Sequence, residues 1–307
     1  MTRPVAVAAM LAAIGIYGSN FALSRHATLN GLAAPDLAAL RFGVAGLLLL
    51  PLFVRRGVLT CGGVGWGRGL ALAATSGAPM VVLMNTGLSL APAAHGAALQ
   101  PGLVTVIGAV GSALLFGARP SRAAVLGIAA ALAGLFCIAL AGAASGSRSV
   151  MLGDLCFIAA GSLWGVYPLL LQRWGVGPME STTAVAVVSL VLYSPIYLLA
   201  FHPRIASADP GLVMFHVVNQ GLFNVVVGLW LWGSAVAVLG AATAQRFPPL
   251  IPVVGTFAAI PILGEWPGPL QALGVGLIVS GLAFAALGDR LFRRAPLRPA
   301  PLPATDP

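Results

Sequence analysis

The sequence predicts an all-α integral membrane protein, with ten transmembrane helices arranged as two inverted five-helix repeats. Three observations carry that reading. Of 307 residues, 59% are hydrophobic and only 7% charged, whereas a water-facing surface carries roughly a quarter of its residues as charges. Lipid must therefore surround most of the chain. Ten apolar runs are each about long enough for the ~20 residues that a helix needs to cross a ~30 Å hydrocarbon core. The sequence also matches itself at one ungapped offset of 147 residues.

The ten runs are taken in chain order. Residues 5 to 24 form helix 1, which holds Tyr17, Gly18 and Asn20. A removable leader would need a small-residue cleavage site before a soluble domain, and another spanning run follows at once, so helix 1 is expected to stay. Helix 2 (36 to 54) carries Arg41 near one end, expected to snorkel or to pair with Asp36. Helix 3 (68 to 90) contains Asn85, and helix 4 (94 to 117) contains His95, Gln100 and Pro101. Helix 5 (121 to 142) has Ala130 and Gly134 at helical spacing, small enough to let a neighbour approach.

Helix 6 (151 to 172) carries Trp164, Gly165 and Tyr167, and helix 7 spans 181 to 201. Helix 8 (211 to 235) holds His216, Asn219, Gln220 and Asn224, where the 216, 220, 224 spacing predicts one face. Helix 9 (240 to 263) opens "GAATAQRFPPLIPVVG", with Gln245, Arg246, Pro248, Pro249 and Pro252, and helix 10 (268 to 288) has Gly276 and Ser280 as its small pair. The Pro-rich residues 291–307 are expected to form a disordered cytoplasmic tail. Cys61, Cys137 and Cys156 have no motif spacing and are expected to pack, without a disulfide.

Charge sets the orientation. With the N-terminus inside, Arg3, Arg55, Arg56, Arg68, Arg119, Arg122, Arg173, Arg290, Arg293, Arg294 and Arg298 fall inside, against Arg25, Arg148 and Arg204 outside. Positive residues stay on the cytoplasmic side during insertion, so both termini are expected in the cytoplasm of a bacterial inner membrane. The formal charge of +9 thus marks topology. It forms no basic face for nucleic acid.

At the 147-residue offset Gly18 falls on Gly165, Pro101 on Pro248, Leu103 on Leu250, Val106 on Val253, Gly108 on Gly255, Gly117 on Gly264, Pro120 on Pro267, Gly127 on Gly274 and Gly134 on Gly281. Residues 1–146 and 147–290 are accordingly expected to be homologous halves of five helices each. Five is odd, so the second half enters the membrane from the opposite side. Such inverted pairs occur in secondary transporters, where the halves exchange conformations to open a central site to either face.

The prolines point to that site. A helical proline leaves the carbonyl four residues earlier without a donor, here Ala97 for Pro101 and Ala244 for Pro248. In hydrocarbon an unpaired carbonyl costs several kcal/mol, so such breaks are tolerated in protein or beside a wet cavity. Helices 4 and 9 are expected to face inward, with Gly18, Pro101, Gly165, Pro248 and Pro249 as bending points. The alternative is that the prolines are passive kinks. Tyr17, Asn20, Asn85, His95, Gln100, Trp164, Tyr167, Asn219, Gln220, Asn224 and Gln245 are the candidate substrate contacts. For any one amide, the alternative is an interhelical hydrogen bond that only holds the bundle together.

Asp36, Asp154, Glu180, Asp209, Glu265 and Asp289 all lie at helix ends or in loops. The cavity is therefore expected to be net neutral, suited to zwitterionic or uncharged solutes, with no metal and no cofactor. No nucleophile paired with a base supports an enzyme. The expected partners are a small solute and the bilayer, with the chain a monomer or weak dimer.

"LAALRFGVAGLLLLPLFVRR", "LGEWPGPLQALGVGLIVSGLAF" and its echo "LFGARPSRAAVLGIAAALAGLF" resemble the two repeats of EamA-type members of the drug/metabolite transporter superfamily. The resemblance covers nearly the whole chain, and is greatest to exporters of aromatic and other neutral amino acids of the YddG type. It implies that helices 1, 3, 4, 6, 8 and 9 line the pathway, with helices 5 and 10 peripheral, and that export of drugs or other metabolites is the rival function. The acidic residue that such repeats carry after the helix 4 glycine is Glu265 in the second half and is replaced by Ala118 in the first.

Overall fold

The structure, a computed structural model, describes residues 1–117, 121–144, 146–240 and 247–287. Gln245, Arg246, Ala118 and the 291–307 tail lie outside the described residues. Ten spans are described: α1 (Arg3–Leu29), α2 (Ala34–Arg56), α3 (66–90, interrupted at Gly77), α4 (Ala93–Phe116), α5 (Arg122–Ala144), α6 (Arg148–Trp174), α7 (Pro178–Ala200), α8 (210–239), α9 (Leu250–Leu263) and α10 (Pro269–Leu287). No strand occurs among the described residues. The chain is a multi-pass membrane protein of two inverted five-helix repeats.

Local chemistry sets the helix ends. Pro4, Pro35, Pro178 and Pro210 stand in first turns, where no backbone donor is needed. The Asp209 carboxylate accepts from Leu212 N at 2.8 Å, and Ser147 Oγ accepts from Val150 N at 3.4 Å. Gly117 and Gly264, one repeat apart, end α4 and α9 in the left-handed region at φ 64° and 68°, a conformation that costs glycine least.

Two helices depart from the expected pattern. A bend and turn at 247–249 precede the α9 helix, which runs from Leu250. Pro249 caps it and Pro252 falls in its first turn, where helical N–H groups have no intrahelical partner to lose. The Pro248 carbonyl, four residues before Pro252, accepts from Ile251 N at 2.9 Å. α4, in contrast, runs unbroken through Pro101. In α8, residues Val217–Val227 form a π-helix, whose i to i+5 bonds shift the faces relative to the expected α spacing.

The packing respects the two-fold relation between repeats. α1 lies on α9 as α6 lies on α4, α8 on α1 as α3 on α6, and α2 with α7 and α5 with α10 form self-related pairs. A Cβ added at Gly18 would lie 2.6 Å from Val254 Cβ, and one at Gly165 would lie 2.9 Å from Ile107 Cβ. Those contacts are repeat-equivalent, since 107 plus 147 is 254.

At the α5–α10 contact a Gly134 Cβ would come 2.5 Å from the Gly274 carbonyl and a Gly281 Cβ 2.5 Å from the Gly127 carbonyl, again an interchanged pair. The expected small pair on helix 10 needs correction, because Ser280 and Gly276 are exposed and Gly274 and Gly281 make the contact. Without a hydrophobic force between helices in lipid, such close approach supplies much of the adhesion. Gly134→Ala should therefore overpack this contact and lower unfolding stability by about 1–3 kcal/mol. Gly276→Ala, where a Cβ meets nothing within 4 Å, should leave the melting temperature in detergent unchanged or higher. Equal losses in the two variants would contradict the assigned contact.

Candidate functional site

A cavity of about 280 Å³ lies where the repeats meet. Tyr17, Asn20, Gln100, Trp164, Tyr167 and Asn224 line it, as expected from the sequence, together with Phe21, Met80, Met84 and Ile251. Tyr17 and Trp164 are repeat equivalents, as are Asn20 and Tyr167, so each repeat contributes a matching pair. Neither α5 nor α10 contributes to the wall, but α2 (Arg41, Phe42) and α7 (Thr182, Val185, Ala186) do, which widens the expected set of lining helices.

The amides form one cluster. Asn20 Oδ1 accepts from Asn219 Nδ2 at 3.3 Å, from Asn224 Nδ2 at 3.1 Å and from Ser24 Oγ at 3.4 Å. Asn224 also donates to the Asn219 carbonyl at 2.8 Å, five residues back, as the π-helix allows. The expected His216, Gln220, Asn224 face is thus replaced by an Asn219–Asn224 pair. His216 is buried with both ring nitrogens unpartnered. Tyr17 packs beside Trp232, with ring centroids 6.5 Å apart, and against Gly228, whose added Cβ would meet the Tyr17 hydroxyl at 2.8 Å.

Arg41 is the residue that sequence reasoning misplaced. Asp36 is already satisfied: it accepts from Ala33 N at 2.7 Å, Tyr197 Oη at 2.5 Å and Arg204 N at 3.2 Å. Arg41 instead lines the cavity and donates to Gln220 Oε1 through Nε, at 2.9 Å, and through Nη2. Gln220 in turn donates to Ser24 Oγ at 2.8 Å. Among the described residues no carboxylate lies within salt-bridge distance of Arg41. The expected neutral cavity therefore contains one guanidinium. The signal was an arginine five residues inside a spanning run, where charge is expensive and points to a partner or a cavity.

Asn85 and His95 are not brought to the cavity wall. Asn85 is fully buried and donates to Val81 O of its own helix at 2.9 Å. His95 belongs to a polar seal at the far end of the bundle, the end opposite the chain start. There His95 Nδ1 lies 2.7 Å from Asp154 Oδ1 and its Nε2 lies 2.8 Å from Gln271 Nε2. A neutral imidazole satisfies both, donating to the carboxylate and accepting from the amide. Arg25 pairs with Glu265 and donates to Leu88 O at 2.7 Å, while Glu265 Oε2 accepts from Ala93 N at 2.9 Å.

The seal ties α1, α3, α4, α6 and α10 to the α9–α10 connection. At the chain-start end the described cross-links are weaker, Arg56 to Glu180 at 3.8 Å and Arg68 over Trp174 at 5.9 Å. Every residue of α4 buried below the surface lies in 93–102, its far-end half. Glu265→Gln should remove the charge pair and weaken the far-end closure by about 1–3 kcal/mol. In a background lacking the three native cysteines, a Met84→Cys probe should then react about tenfold faster with an impermeant thiol reagent applied from the far side. An unchanged rate would show that the pair does not hold that end.

The fold and cavity define a helical membrane carrier of inverted-repeat design, with its pocket at the repeat interface. The family description "EamA-like transporter family" matches residues 4–140 and again 151–287, and the chain belongs to that family. It is 29% identical over 256 residues to a "Probable terminal-alkyne amino-acid exporter" of Streptantibioticus cattleyicolor, spanning 78% of this chain and 83% of that one. To a "Probable amino-acid metabolite efflux pump" of Escherichia coli it is 26% identical over 306 residues, spanning 94% and 97%. A solved structure described only as "Crystal structure of protein" shares the fold, with a TM-score of 0.64 and 24% identity over 95% of this chain and 100% of that one.

Proposed function

We propose that the protein exports neutral amino acids, aromatic and hydrophobic ones in particular, across a bacterial inner membrane by alternating access. The cavity wall carries the reading: it combines amides, five aromatic side chains, two thioethers and one guanidinium. A zwitterionic head needs polar partners of both kinds, and an apolar side chain needs the faces of Trp164, Tyr167, Met80 and Met84. Both curated relatives above are named for amino-acid export or efflux. A cationic drug would want a carboxylate in the wall, and the described lining residues include none.

The arginine bias puts both termini in the cytoplasm, so the polar seal faces outward and the cavity loads from inside. Purified protein in liposomes should move labelled phenylalanine or leucine down a gradient. Trp164→Ala should cut that flux at least severalfold through loss of a stacking face worth ~1 kcal/mol, at normal expression. Flux of other metabolites with none of neutral amino acids would overturn the reading.

The matched prolines are the bending points of the alternation in this scheme. Pro101→Ala allows one more backbone hydrogen bond within α4, worth about 1 kcal/mol, which shifts a two-state equilibrium several-fold, while Pro248→Ala frees the fixed φ of the turn that leads into α9. The two variants should fold, transport poorly and be biased toward opposite faces, as read by cysteine accessibility from both sides. The same bias in both, or wild-type flux, would remove the hinge role.

A further inference from the structure

We propose that Arg41 binds the carboxylate of the transported amino acid and that Gln100 accepts from its ammonium group. This rests on the amino-acid reading above and assigns its head-group contacts. Arg41 presents a planar fork suited to two carboxylate oxygens, but its Nε and Nη2 converge on a single neutral oxygen, Gln220 Oε1. A guanidinium within a membrane span, with no carboxylate at salt-bridge distance among the described residues, is a costly arrangement. An arriving carboxylate supplies the missing charge and releases Gln220.

The acceptor side is equally specific. Asn20 Oδ1 already accepts three hydrogen bonds and has little left to offer. Gln100 is 1% exposed and lines the same cavity, with Nε2 on the Met80 sulfur at 3.3 Å and Oε1 buried without a partner. Buried acceptors are rarely left unpaired in native proteins, and each exception calls for an explanation. An ammonium donor removes this deficit. The two groups then select a solute that carries both charges, with Trp164 and Tyr167 left for the side chain.

The test compares ligands and variants on the full chain. Binding of phenylalanine, its carboxamide and its N-acetyl derivative is measured by calorimetry on purified protein, alongside flux in liposomes. Wild-type protein should bind phenylalanine roughly ten- to a hundredfold more tightly than the carboxamide, the scale of a charge-assisted pair. In Arg41→Gln that ratio should fall to near one, and in Gln100→Leu the preference over the N-acetyl derivative should fall likewise. Equal binding of acid and carboxamide by the wild type, or a ratio preserved in Arg41→Gln, overturns the assignment while amino-acid transport stands. If Arg41→Gln fails to fold, Arg41→Lys and the wild-type ligand ratio decide. Transport of other solutes with no phenylalanine flux would instead refute the underlying function.

Discussion

The hydrocarbon interior offers no water to a polar group, so every donor and acceptor placed there must be satisfied by the chain or by something in a cavity. This constraint arranges the molecule. It makes every described span helical, and it gathers the amides of α1 and α8 around Asn20 Oδ1. It also sends the far-end charges to one another and to backbone groups. Among the groups it leaves over, two share one cavity: a guanidinium held by one neutral oxygen and a glutamine oxygen with no partner.

Much of the architecture was legible because glycine and proline record backbone geometry directly. The pairs 127 with 274 and 134 with 281 repeat along the sequence because, in space, Gly134 meets Gly274 and Gly281 meets Gly127. A side chain added at any of them collides with a backbone carbonyl. Hydropathy located the spans for the same reason: lipid admits little else.

The site was less legible, because residue type does not say which partner wins. Asn85 and Asn20 look alike in sequence, yet one closes on its own helix and the other joins three partners from two helices. Arg41 was read locally, beside Asp36. The competing partners of Asp36, Tyr197 and the backbone of Arg204, arrive from more than 150 residues away. In α8 the π-helix moved Asn224 over Asn219, and no periodicity of 3.6 could have found that.

The repeats share a frame but not a chemistry, and this bears on the proposed alternation. If the repeats exchanged conformations, the far-end seal would be re-formed at the other end by the residues 147 positions away. Those residues are Gln172 for Arg25, Ala118 for Glu265, Ala242 for His95, Val7 for Asp154 and Ala124 for Gln271. All but one are apolar, and none is charged. Closure of the chain-start end therefore lacks the equivalents of these groups, while closure of the far end rests on an ion pair and hydrogen bonds shielded from water, where they count for more. The two closed states cannot be equal in energy by symmetry. The difference favours the far-end closure, whose ion pair and hydrogen bonds this structure shows, until a solute that satisfies the unpaired groups of the cavity changes the balance.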